Sequence, residues 1–173
     1  MPPDQAEDGA IQAPHRIVRC AGQPEVLWCQ HHCDTWRSSN AGGLWQRIRT
    51  APRSASGFAV AVHPADADTA WFVPAVADQC RVLAGGALVV NRTTNGGASL
   101  ETLRHGLPQQ QCCDLVYRLG LDVADDGRSL PMASTTGGRW ASTTGGLWAS
   151  ADGGVPWQTV SLTLPPVYAV RFG

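Results

Sequence analysis

Three arginines of this 173-residue chain, Arg19, Arg118 and Arg171, lie inside short apolar runs, and two of those runs also hold a tyrosine, Tyr117 and Tyr168. A guanidinium presents a planar fork of donors that matches a carboxylate. Arginines gathered on one surface therefore suit an acidic ligand. A second group is Cys29-Gln30-His31-His32-Cys33, with four potential soft or borderline ligands in five residues. Zinc takes such ligands, but in an extended strand Cys29, His31 and Cys33 face one way and His32 the other. With no second ligand pair in sight, the expectation is no metal, and cysteines used as small apolar fillers. The carboxylates Asp66 and Asp68, and those from Asp122 to Asp126, sit between apolar runs, where Asx-turn hydrogen bonding is their expected use. No GxSxG elbow, phosphate loop or CxxC pair occurs, and no motif calls for a cofactor.

What must position these residues is a repeat. Ser38-x-Asn40-x-Gly42-x-x-Trp45, Thr93-x-Asn95-x-Gly97-x-x-Leu100 and Ser150-x-Asp152-x-Gly154-x-x-Trp157 share one pattern, with the middle Asn or Asp 55 and then 57 residues apart. The chemistry of each box is that of a tight turn. Asn or Asp accepts backbone N–H bonds, glycine supplies positive φ, and the hydroxyl satisfies another turn group. The closing Trp or Leu is an apolar plug between neighbouring sheets.

The surroundings of each box repeat as well. Two apolar strands precede it, a third enters it and a fourth leaves it. Four short strands per period of roughly 50 residues is the pattern of a β-propeller blade. The expectation is an all-β partial ring of about three four-stranded blades, near 15–53, 54–107 and 108–165. Residues 1–14 are expected as a flexible leader, and 166–173 as an orphan first strand with an exposed edge. Residues 133–140 and 141–148 are a near-exact tandem duplication, and 75–86 is an insertion in the second blade. Inner strands line a propeller's channel, so Arg19, Arg118, Arg171, Tyr117 and Tyr168 become candidate channel-lining residues. Strand alternation sends about half of them into blade interfaces instead.

The boxes, above all Ser150 to Trp157, resemble the BNR or Asp-box repeats of sialidase-like propellers. Residues 15–173 look like the C-terminal part of bacterial BNR-repeat proteins, often labelled glycosyl hydrolase or exo-α-sialidase. Asn40 and Asn95 depart from the pattern's Asp, and Leu100 from its aromatic. The resemblance implies a ring of six or more blades. For an active member it implies three Arg holding a substrate carboxylate, a Tyr/Glu nucleophile pair and an Asp acid/base. That set is not assembled in this chain: Glu101 falls on an outer strand just after a box. No catalytic residue is assigned. The expectation is a non-catalytic binding or scaffold module, or an incomplete fragment of a larger propeller. The alternative is a fragment of a sialidase-like glycoside hydrolase whose catalytic residues lie on other blades.

Composition narrows the partners. A net charge of -1 argues against a nucleic-acid binder, and all 13 basic residues are Arg. No run approaches the ~18 apolar residues of a membrane span. The first 14 residues lack an apolar signal region, so a cytoplasmic location with free thiols is the default expectation. The expected partners are a glycan or a protein, together with self-association through open blade edges.

Overall fold

The computed structural model describes residues 13–31, 33–76, 82–135 and 145–172. Most of the leader, His32, the middle of the insertion and the bulk of the tandem duplication lie outside the described residues. Three antiparallel sheets follow one another along the chain. The first runs β1 (Pro14–Arg19), β2 (Leu27–His31), β3 (Thr35–Ser38) and β4 (Gln46–Ile48), side by side in that order. The second runs β5 (Gly57–Val62), β6 (Ala70–Pro74), β7 (Val90–Thr93) and β8 (Glu101–Leu103). The third holds β9 (Leu130–Ala133), β10 (Gly145–Ser150) and β11 (Gln158–Leu164), and an isolated bridge from Leu121 to Met132 adds a fourth member. This is the architecture of a partial β-propeller.

The middle blade shows why the sheets stack. Its β5 and β6 are buried at every residue, so they read as continuous apolar runs rather than alternating ones. Successive side chains still divide between two faces. Val60, Val62, Ala70 and Phe72 pack with Val26, Trp28 and Ile48 of the first blade. Ala59, Ala61, Trp71 and Val73 pack with Leu130, Met132, Trp148 and Trp157 of the third.

The third blade departs from the expected strand positions. The apolar run 115–119 does not make the pairing with β9, which is made by residues 120–124. Ala133 N–H donates to Gly120 C=O, Asp122 N–H to Pro131 C=O, and Ala124 N–H to Ser129 C=O. The physical reason for the broken ladder is Pro131. The N and C=O of one strand residue point to the same side, and Pro131 has no N–H to give there. The closing segment, expected as an orphan strand, has partners in this blade. Val167 N–H donates to Ser134 C=O, Val170 N–H donates to Leu119 C=O, and Leu119 bridges Ala169 in parallel.

The box turns follow side-chain chemistry closely. Gly42 N–H donates to Ser38 Oγ at 2.9 Å, Gly97 N–H to Thr93 Oγ1 at 2.9 Å and Gly154 N–H to Ser150 Oγ at 3.0 Å. Leu44 and Ser99 N–H groups donate to Asn40 and Asn95 Oδ1. In the third box the corresponding residue is Pro156, which has no N–H, and the Asp152 carboxylate takes Arg128 Nη2 at 2.9 Å instead. The residue after each Asn or Asp is left-handed: Ala41 at φ 57°, Gly96 at 68° and Gly153 at 62°. A non-glycine residue there is strained by about 1 kcal/mol. Ala41→Gly is therefore expected to stabilise the protein by up to about 1 kcal/mol, read as a higher urea midpoint at unchanged slope.

Candidate functional site

In each blade the first and third strands run the same way, so the turn after strand one and the box lie at the same end. One backbone bond joins them three times over. Ala41 N–H donates to Glu25 C=O, Gly96 N–H to Asp68 C=O and Gly153 N–H to Arg128 C=O. At this end a cleft of about 300 Å³ opens between first strands. Arg16, Val18, Arg19 and Ala21 come from β1 and its turn, Ala61, Val62 and Pro64 from β5 and its turn, Asp122 and Val123 from the third blade, and Arg171 from the closing segment.

Three cations and one carboxylate face this cleft. Arg16 Nη1 donates to the carbonyls of Arg118 and Leu121 at 2.8 and 2.9 Å, which ties the first blade to the third. Burial, reinforced by nearby Arg171 and opposed by Asp122, holds the Arg16 guanidinium down to about 10. Arg171 Nη1 reaches Asp122 Oδ1 at 3.4 Å. Arg19 is exposed and has no acid partner among the described residues. Asp122 thus balances one of three positive charges. A larger groove of about 540 Å³ lies between β4 and the second box and also holds three arginines. Two of those are already neutralised, Arg37 by Asp68 at 2.6 Å and Arg47 by Asp34 at 2.9 Å. The smaller cleft therefore carries the less compensated charge.

Of the five candidate channel residues, the structure gathers Arg19 and Arg171. It adds Arg16, whose one sequence signal is that it lies in the first inner strand. Tyr117 lies elsewhere, stacked on Phe58 with centroids 5.1 Å apart, and Phe58 stacks in turn on His15. Arg118 is exposed, covers the Tyr117 ring at 5.5 Å and offers the cleft's neighbour Arg16 only its carbonyl. Tyr168 is 64% exposed and lies outside the cleft. Cys29 and His31 line a small apolar hollow with Trp36 and Trp45. Burial pushes the Cys29 thiol up to about 11, which keeps it protonated. Among the described residues, no three His, Cys, Asp or Glu side chains come together as metal ligands.

The fold built by these blades has solved counterparts. A GH74 xyloglucanase from Xanthomonas campestris superimposes with a TM-score of 0.58 at 20% identity, over 82% of this chain and 20% of that one. The GH74 enzyme of Niastella koreensis gives 0.59 at 18%, over 86% and 22%. YCF48 from Cyanidioschyzon merolae gives 0.55 at 13%, over 86% and 39%. The shared feature is the propeller fold. The chain spans about a fifth of the xyloglucanases and about two fifths of YCF48. No protein-family profile and no curated sequence matches it.

The acidic turn beside the cleft is held as an Asx turn. Asp126 accepts the N–H groups of Arg128 and Ser129 at 2.8 Å and the Ser129 hydroxyl at 2.7 Å. These bonds hold its carboxyl down to about 2, against the ordinary 3.8. A depressed carboxyl stabilises the fold above its unfolded value, and that contribution is lost as pH falls through the folded one. The thermal midpoint of the native protein should thus exceed that of Asp126→Asn above about pH 4, with the gap closing by about pH 2.

Proposed function

We propose that this chain is a non-catalytic propeller module of the BNR or Asp-box type that binds a carboxylate-bearing ligand, a glycan or a protein tail, in the Arg16–Arg19–Arg171 cleft. The observation that carries this reading is the convergence of three guanidiniums on one cleft with Asp122 as its only acid among the described residues. Arg19 and Arg171 are exposed and offer a carboxylate the bidentate grip that its geometry favours. Arg16 is already engaged by two carbonyls and supplies field and rigidity. A cleft of about 300 Å³ suits one sugar ring or a short peptide end. A neighbour in fold, YCF48, has been solved bound to a D1 peptide, which supports a protein ligand for this architecture. The box turns support the Asp-box assignment through their shared hydroxyl-to-glycine bonds.

A second reading is favoured by the two GH74 enzymes among the structural neighbours: a glycoside-hydrolase fragment whose catalytic groups lie on other blades. Calorimetric titration of the full chain with N-acetylneuraminic acid, an acidic peptide with a free C-terminus and a neutral xyloglucan oligosaccharide separates these readings. The carboxylate ligands are expected to bind, more weakly as salt rises. Arg19→Ala and Arg171→Ala should each weaken that binding about tenfold, or about 1.4 kcal/mol. Equal binding of the neutral oligosaccharide, or no binding of either anion, overturns the anion cleft. Turnover of xyloglucan or of a fluorogenic sialoside by this chain alone overturns the non-catalytic reading.

A further inference from the structure

Strand alternation gives the first blade two unlike sides. Val18, Trp28 and Ile48 turn towards the second blade. Ile17, Cys29, Trp36 and Arg47 pair in turn across the ladder and make the outer side, where His31 joins them two positions from Cys29. Among the described strands, β5 packs on β1 and β2 from another blade, and it does so on the Trp28 side. The middle of the outer side is nonetheless buried. Cys29, His31 and Trp36 are 6%, 2% and 6% exposed. The flanks are not, with Ile17 at 51% and Leu44 at 76%.

Such burial calls for a narrow cover over β2 and β3. Ile17 lies directly beside Cys29 on the neighbouring strand, so a whole sheet laid on this side would hide it too. One extended segment, about a strand spacing of ~4.8 Å wide, can hide the middle and leave the flanks in solvent. The cover must also bring a hydrogen-bond acceptor. The Trp36 indole N–H is buried with no partner among the described residues, whereas Trp28 and Trp71 give theirs to backbone carbonyls.

The ladder points to the stretch of chain ahead of β1. Pro14 pairs with His31 and lines a hollow of about 90 Å³ with Ile17, Cys29, His31, Trp36 and Trp45. The preceding residues therefore join the sheet at the rim of this hollow. Twelve residues reach up to ~40 Å when extended, and a strand of the length of β2 spans only about 17 Å. Ile11, three positions before Pro14, is the β-branched residue of that stretch, and the hollow has room for one aliphatic side chain. Charge is complementary as well. Residues 1–12 carry Asp4, Glu7 and Asp8 and no arginine, while residues 13–53 carry six arginines against Glu25 and Asp34.

We infer that the outer side of the first blade is a docking surface for residues 1–12 of this same chain. Ile11 seats in the hollow beside Cys29 and Trp45, a backbone carbonyl of the segment takes the Trp36 indole N–H, and the acidic residues face the arginines of the blade. The inference rests on burial and ladder position and is independent of the arginine cleft.

The test is alkylation of the native full chain by iodoacetamide, with each cysteine followed by mass spectrometry. Cys20, wholly buried between the first two blades, reports whether a variant is folded. In the native chain both Cys29 and Cys20 should react at least a hundredfold more slowly than in urea. Deleting residues 1–12 should speed Cys29 at least tenfold and leave Cys20 slow. Ile11→Asp should speed Cys29 several-fold, and Ile11→Val should not. An equal Cys29 rate with and without residues 1–12, while Cys20 stays slow, overturns the inference. So does a Cys29 rate in the full chain that falls as protein concentration rises, because a second copy would then be the cover. If the deletion also exposes Cys20, Ile11→Cys in the full chain decides. Oxidised glutathione should then link residue 11 to Cys29, and absence of that disulfide overturns the docking.

Discussion

The hydroxyl of a box serine or threonine accepts the N–H of a glycine four residues on, and the position of that glycine governs the turn end of the protein. A glycine held there at positive φ leaves no Cβ in the path of the preceding blade, so Ile48 and Leu103 close onto Gly97 and Gly154. The same turn holds the N–H of Ala41, Gly96 and Gly153 against the neighbouring turn of its own blade. Through Gly153 it also presents a carbonyl to Trp71 and Arg92 of the blade before. One short-range bond thus fixes a turn, anchors it to the blade and prepares the surface on which the next blade rests.

The interior depends on that spacing. Among the tryptophans that fill the space between sheets, Trp28 and Trp71 give their indole N–H to rim carbonyls, whereas the buried indole N–H groups of Trp148 and Trp157 have no partner among the described residues. The middle blade can be apolar on both faces because both are covered. The outer faces of the first and third blades differ in kind: the first buries Cys29, His31 and Trp36, whereas the third exposes Val160 and Leu162.

The arginine cleft draws on three separate stretches of chain, and its electrostatics follow from their convergence. Arg16 is spent on carbonyls of residues 118 and 121, more than a hundred positions away, and burial lowers its basicity. Arg171 is partly balanced by Asp122, while Arg19 faces solvent. The larger groove beside the second box has as many arginines but two close ion pairs, which leaves little net field for a ligand. Charge left uncompensated, more than volume, distinguishes the smaller cleft.

The boxes, their glycine geometry and the four-strand period were legible in the residues, because each depends on bonds made within a few positions of chain. So were the Asx turns at Asp66 and Asp126, for the same reason. The first strand of the third blade was legible only in outline: the pairing with β9 is made by residues 120–124, and Pro131, the second residue of β9, removes a donor that a regular ladder needs. The inner-strand arginines were visible as candidates, but strand alternation cannot say which side of a blade faces the channel. Tyr117 and Arg118 went to the Phe58 stack, and Arg16 took a place in the cleft. Local hydrogen bonding and apolar periodicity are properties of neighbouring residues, and they determined the repeat and its fold. Which arginines meet depends on residues up to about 155 positions apart, from Arg16 to Arg171, and only tertiary packing decided it.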